Sequence, residues 1–457
     1  MTNRLDRDFH LPGLLRFALP TIIMMLVVSL YTIVDGVLIA RLVGENALAA
    51  ANVAYPAISF TLAMGIMLGT GGSAVVAHKM GAGYLEEARR DFGFLALVAV
   101  CSGLAVCLTG VLFSGPLARL LGASDLLLDD TVTYLRVQLC FAPMAMLQLL
   151  FESFFVTAGR PGLGLGLAVA AGVTNAVLDY LYMGPMQMGI LGAALGTVTG
   201  YSIPAVVGVL FFLLRRQGLR FGRPHGDLRM LGRACFNGAS ELVTNLSMAV
   251  TTFLFNAIMM AYLGEAGVSA ITIVLYAQFL LVALYMGFSM GVAPVFSFNR
   301  GAGRYDRMRR IFGYCLRFIL VSSVAILAVA LALSGVVVGI FSTPGSQVYA
   351  IALDGFRRFA PAFLFAGVNI FSSALFTALS DGRTSAIISF ARTFGFLLLG
   401  LLLLPRLLEV DGVWLAVPLA ELLSCLLSVW FLRRKRADFG FGGGDLPRHG
   451  GRGGGRT

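Results

Sequence analysis

The chain has 457 residues, of which 58% are hydrophobic and 12% charged, with a mean hydropathy of +0.87 and a formal net charge of +11. So little polar surface cannot cover a water-soluble exterior, which excludes soluble globular classes and makes lipid the expected solvent. The basic excess lies in short loops with no separate basic domain, so it is a topological signal and speaks against a nucleic-acid partner.

About 20 apolar residues cross a bilayer as a helix. Twelve stretches qualify: 12–40, 46–77, 93–113, 130–157, 162–183, 189–214, 231–262, 267–298, 311–341, 348–379, 384–404 and 412–432. They are too long, and too apolar on every side, for the alternating strands of about ten residues found in a barrel. The expected fold is therefore an all-α integral membrane protein of twelve transmembrane helices. With the first span running outward, one side collects Arg4, Arg7, Arg16, Lys79, Arg89, Arg90, Arg160, the arginines of 215–233 and 300–310, Arg383 and the basic run 433–436. The opposite loops hold only Arg41, Arg119 and Arg406. Such a bias places both termini in the cytoplasm, and the expected location is a bacterial inner (plasma) membrane. The N-terminus lacks a short apolar core ending at a small-residue cleavage site, so it reads as an uncleaved first span. The six cysteines sit within or at the edge of apolar runs and imply neither disulfides nor zinc. The four histidines fall in loops or tails, which disfavours a buried histidine relay.

The chain repeats itself. GAGYLEEARRDFGF from Gly81 recurs as GAGRYDRMRRIFGY from Gly301, 220 residues later. At the same offset Gly44, Glu45 and Ala50 return as Gly264, Glu265 and Ala270, and Gly192 returns as Gly412. An even number of spans per repeat gives two pseudo-symmetric six-helix bundles of the same orientation, with a cleft between them suited to alternating access. The expected organisation is a first bundle over 1–214, a cytoplasmic linker over 215–230, a second bundle over 231–436 and a disordered Gly/Arg tail over 437–457.

Acids within a membrane are costly and mark function; by position they are Asp35, Glu152, Asp179, Glu241 and Glu421. Asp35 precedes Arg41 by six residues, which is about 9 Å of helix. Asn175 and Asp179, at i and i+4, share a helix face at similar depth. Two carboxylates with a carboxamide between them suit a Na⁺ or a shared proton; helix-to-helix hydrogen bonding is the alternative. Glu152 lies nearer the inner end of its span. Glu241 and Glu421 are placed to line a substrate cavity that attracts organic cations, or else to be buried and hydrogen-bonded, with Arg392 as a partner. Tyr31, Tyr55, Tyr134, Phe151, Phe154, Met286 and Met290 offer aromatic and thioether faces to flat cations, or serve as packing. Pro20 removes a backbone bond and is expected to bend the first span.

These segments together resemble the multidrug and toxic compound extrusion (MATE) family. The resemblance rests on PTIIMMLVVSLYTIVDGVLIARLVG, the GAGYLEEARR loop and its GAGRYDRMRR copy, FESFFVTAGRPG, NAVLDYLYMGPMQMGILGAALGT, GASELVTN and GVWLAVPLAE, and it extends from Pro20 to about Arg433. It implies efflux of drugs or toxins by antiport against H⁺ or Na⁺ through a V-shaped cleft. It also implies that Asp35, Asn175 and Asp179 form a first-half cation site with Thr197 and Tyr134 in support, and that Pro20 is the family's bending proline. Glu152 resembles a polar position near that cavity. Glu241 resembles an acid that one branch uses in the second half, although Asp354 is too near the outer end of the tenth span to partner it.

No cluster of nucleophile, base or metal ligands sits at one depth, so a transporter without a cofactor is expected in place of an enzyme. Its partners would be small organic cations and the bilayer, and the chain would act as a monomer. A flippase for lipid-linked precursors would need a basic cavity, whereas acids outnumber bases here; a narrow-range metabolite exporter is the other alternative. The G-x-x-x-D-R-x-G-R-R loop of major-facilitator transporters is missing after the second span.

Overall fold

The computed structural model describes residues 4–436, 438 and 439. Among them the chain is helical with no strand. Eight helices are long and apolar enough to cross a membrane, and two bent pairs each make a further span: Leu128–Cys140 with Ala142–Thr157 at 55°, and Gln347–Phe359 with Ala362–Ala378 at 56°. Two of the eight are continuous only in name, since Leu228–Gly301 turns at Gly264 and Gly382–Arg434 turns at Glu409. Counted at those turns, the spans number twelve.

The turns repeat with the sequence. Gly44 (φ 128°) and Gly264 (φ 62°) separate the first two spans of each half, and Gly83 (φ 90°) and Gly303 (φ 68°) lie in the loops that follow. Gly189 (φ 59°, ψ −141°) and Glu409 (φ 52°, ψ −129°) open the last span of each half with nearly the same backbone. A residue with a Cβ is strained there, so the bundle's geometry, more than local preference, sets the turn at Glu409.

Three expectations need adjusting. The ninth span ends at Ala332, and Ser334–Phe341 is a separate short helix that mirrors Ser114–Leu120. In each copy the serine hydroxyl donates to the carbonyl three residues back, at 3.2 Å for Ser114 and 3.0 Å for Ser334, and accepts from an arginine, Arg136 or Arg357. The seventh span begins at Leu228, earlier than expected, because Asp227 caps it by accepting from the backbone N–H of Arg229 and Met230. Within the segment 437–457, expected to be a disordered tail, Phe439 is buried, its ring 6.0 Å from that of Phe376 and under the Arg300 guanidinium; the remaining residues of the segment, Asp438 apart, lie outside the described residues. The first helix runs unbroken through Pro20.

Three hydrophobic clusters define the cleft. One is continuous across both halves at the end that carries the N-terminal segment and the linker, joining Leu14, Leu68 and Val76 to Ala234, Phe288 and Val295. The other two, at the opposite end, stay within one half each, around Tyr134 and Leu135 in the first and around Phe255 and Trp414 in the second. The halves therefore close on each other at the terminal end and part at the distal end. Glycines make the closure possible: a Cβ on Gly81 would overlap the carbonyl of Phe298, and one on Gly301 would overlap the carbonyl of His78, the same contact from the opposite side.

Candidate functional site

The first-half acids meet where spans 1, 4, 5 and 6 converge. Asn175 and Asp179 are buried on one face of Pro161–Met183, and the Asn175 amide donates to Asp179 Oδ2 at 2.8 Å. The carboxyl of Asp35, from the first span, stands at hydrogen-bonding range of Asp179. Each keeps one buried oxygen, Asp35 Oδ1 and Asp179 Oδ1, without a protein donor. Gly196 of the sixth span makes the site possible, since a Cβ there would occupy the position of Asp179 Oδ1. Two carboxyl groups this close, with Asp179 buried and Asp35 half-buried, favour a proton or another cation that offsets their repulsion.

Other polar groups ring this pair. The Tyr134 hydroxyl lies near Gln138 and Thr197 and within electrostatic reach of both aspartates, while Thr197 donates to its own helix at Ala193 O, 3.0 Å. Tyr201 donates to Gln138 Oε1 at 2.9 Å. One helical turn from Asp35, Tyr31 sits beside Gln148 and Glu152, and Gln148 donates to Glu152 Oε1 at 2.9 Å. Glu152 thus joins the Asp35 network through Tyr31 despite its position nearer the terminal end. Sequence reasoning missed Gln138, Gln148, Tyr201 and Gly196. Gln148 was open to discovery, because it stands at i−4 from Glu152 just as Asn175 does from Asp179.

The second half is arranged differently. Arg392 grips Glu421 Oε1 with Nε at 2.8 Å and Nη2 at 2.6 Å, and the Asn369 amide donates to Glu421 Oε2 at 2.7 Å. Ser428 then donates to Asn369 Oδ1 at 3.0 Å. Glu421 is therefore a buried, fully bonded acid whose partner is Arg392. Glu241, half-buried on the seventh span, lies in the electrostatic field of Arg392 with no side-chain hydrogen bond among the described residues. Met286 is 40% exposed beside Gly287, which packs on Thr21 and Ile22 of the first span, so it stands at the seam between the halves. Phe151 and Phe154 do not reach the cleft; both are fully buried in an aromatic cluster with Phe92 and Phe212.

The family model MatE matches residues 20–181 and again 242–402, one copy in each half. The chain belongs to the MatE family. As a MatE protein it is a membrane transporter and not an enzyme. It is 23% identical to the multidrug export protein MepA of Staphylococcus haemolyticus over 92% of each chain. Its fold matches that of a MATE transporter crystallised in complex with MaL6, with a TM-score of 0.88 at 19% identity over 93% of this chain and 96% of the other. It also matches an outward-facing multidrug resistance MATE transporter, with a TM-score of 0.86 at 19% identity over the same shares. The two six-span halves are the MatE architecture.

Proposed function

We propose that this MatE protein exports organic cations across a bacterial plasma membrane in exchange for protons, with both termini cytoplasmic and the cleft open to the outside. The observation that carries the reading is the close Asp35–Asp179 pair, in which Asp179 is buried and each residue keeps one buried, undonated oxygen. Carboxyls at hydrogen-bonding range share a proton without further ligands, which favours H⁺ over Na⁺ as the coupling ion. A proton entering from outside discharges the pair and removes the negative field that holds a cationic substrate; returning it inside recharges the site. Asn175, Thr197 and Tyr134 orient the pair, Tyr31 and Glu152 extend the acidic wall, and Pro20 leaves the first span free to bend.

Sequence relatives named multidrug export proteins support a broad substrate range. The cleft's acids speak against a flippase for pyrophosphate-linked lipids, whose headgroup they would repel. The test is ethidium efflux from energised vesicles, comparing wild type with Asp35→Asn while proton and sodium gradients are collapsed separately. Efflux should cease in the variant and when the proton gradient collapses. Loss with the sodium gradient alone would reassign the ion, and undiminished efflux by Asp35→Asn would sink the mechanism.

A further inference from the structure

The third and fourth spans meet at a close crossing that carries two cysteines. On Leu85–Leu112, Gly103, Cys107 and Gly110 fall at i, i+4 and i+7 and so share one face. A Cβ on Gly103 would overlap the backbone of Pro143, and one on Gly110 would overlap the side chain of Leu139. Between these two contacts, the Cys107 thiol stands at hydrogen-bonding range of the Cys140 thiol. Cys140 is exposed, Cys107 is half-buried, and both are free thiols. They lie on different spans, so nothing in their sequence spacing pairs them.

Cys140 ends the helix Leu128–Cys140, at the 55° bend of the fourth span. That arm carries Gln138, which accepts from Tyr201, and Tyr134, which lies within electrostatic reach of Asp35 and Asp179. The repeat shows the same crossing already bridged. At the offset of 220 residues, Ser323 and Phe363 take the places of Gly103 and Pro143, and the Tyr285 hydroxyl joins them, 3.1 Å from Ser323 Oγ and 3.3 Å from the Phe363 carbonyl. Gly65 stands where Tyr285 does, and the places of the two cysteines are taken by Leu327 and Ala360. The second half thus has a standing polar bridge where the first half, which holds the aspartate pair, has two thiols.

We propose that Cys107 and Cys140 form an oxidative modification site, which hydrogen peroxide converts to a disulfide that fixes the distal arm of the fourth span and slows transport. Peroxide oxidises one thiol to a sulfenic acid, its O–O bond breaking with release of water. The second sulfur then attacks the sulfenic sulfur, the S–O bond breaks and another water leaves. The two thiols lose two electrons and two protons, and one peroxide becomes two waters. Backbones that approach as closely as those at Gly103 and Pro143 let the sulfurs join with little movement of either span. The effect on transport rests on the cation-export reading, because the arm carries groups that orient the Asp35–Asp179 pair; formation of the bond does not rest on it.

The test uses the purified full chain in proteoliposomes, treated with hydrogen peroxide, blocked with N-ethylmaleimide and digested with trypsin. Arg119 and Arg136 lie between the two cysteines, so a disulfide joins two otherwise separate peptides, two hydrogens lighter than their sum. That joined peptide should form in wild type, vanish with dithiothreitol, and be absent from Cys107→Ser and from Cys140→Ser. Proton-driven ethidium efflux should fall about fivefold or more on oxidation, recover with dithiothreitol, and show no response to peroxide in either variant. No joined peptide in wild type overturns the proposal, as does one that persists in Cys107→Ser, which would place the bond at Cys101. A joined peptide with efflux unchanged overturns it too, as does equal slowing of Cys107→Ser by peroxide. Reduced wild type that exports no ethidium overturns the cation-export reading alone. The joined peptide, with slower amide hydrogen exchange over 128–140 after oxidation, then decides the proposal, and its absence or unchanged exchange overturns it.

Discussion

Where the first half carries Asp35, nine residues before Gly44, the second carries Phe255, nine residues before Gly264. The close contact of Gly196 with Asp179 is matched by that of Ala416 with Gly400. Twelve residues after the turns at Gly189 and Glu409 stand Tyr201, which holds Gln138, and Glu421, which holds Arg392. Gln148 and Glu152 have Asn369 and Ser373 as counterparts, counted back from the left-handed residues Gly159 and Ser380. One backbone plan thus carries a pair of acids in one half and an acid–base pair in the other. The difference teaches that the repeat supplies the frame, while the acids to which the proposed mechanism assigns the coupling sit on one side.

The most direct way to break this asymmetry is to neutralise the acids. Asp179→Asn should slow gradient-driven ethidium efflux at least about 100-fold, as expected when a buried charge system worth about 3 kcal/mol is removed. Phe255→Leu, at the mirror of Asp35, should leave efflux within about twofold. A coupling defect of equal size at Phe255 would mean that the second half shares the ion site.

Gly196→Ala tests the same point through space. Its Cβ would displace the Asp179 carboxyl at Oδ1, so efflux should fall about tenfold while the transporter still folds, a loss of about 1.4 kcal/mol. Ala416→Gly in the second half should cost only the helix propensity of about 1 kcal/mol, seen as a lower Tm, with normal efflux. Unchanged transport by Gly196→Ala would show that the close approach of the sixth span is not required.

Much of this was legible beforehand, for stated physical reasons. Span number and the repeat follow from hydropathy and from glycines that must turn, and Asn175–Asp179 follows from helical spacing. Four things were not legible. Gly196 is silent, because nothing in a sequence marks a glycine as making room for a carboxylate on another span. Gln138 and Tyr201 are uncharged and distant in sequence, so only the fold pairs them. Phe151 and Phe154 stay open between cleft and packing roles in the sequence, because burial in an aromatic cluster and exposure to a cavity look the same in an apolar run. The short helix after the ninth span was absorbed into it, since Ser334–Phe341 is as apolar as the span itself.

Where the halves meet they become symmetric again, and Gly81 and Gly301 probe that. Each lies on a carbonyl of the other half, so Gly81→Ala and Gly301→Ala should each destabilise the closed terminal end by about 1–3 kcal/mol. Distance measurements between spin labels in the 81–84 and 301–304 loops should show both variants shifted toward separation by similar amounts. A shift in only one would mean that the seam is not governed by the repeat.

The smallest effect is expected where the symmetry is broken by an appendage. The N-terminal segment buries Leu5 and Phe9, and its Asp6 pairs with Arg304 and Arg307 while Asp8 pairs with Arg310 at 3.0 Å, so it straps the first half to the loop that opens the ninth span. These ion pairs are partly exposed, and each is worth at most about 1 kcal/mol. Asp6→Asn should therefore shift the same loop distances by a population factor of about two to five, and Asp6→Asn/Asp8→Asn by somewhat more. Because the pairs are near solvent, raising salt should reproduce part of the shift in wild type and none in the double variant. If the double variant responds to salt as wild type does, the strap is held by Leu5 and Phe9 and its charges are incidental.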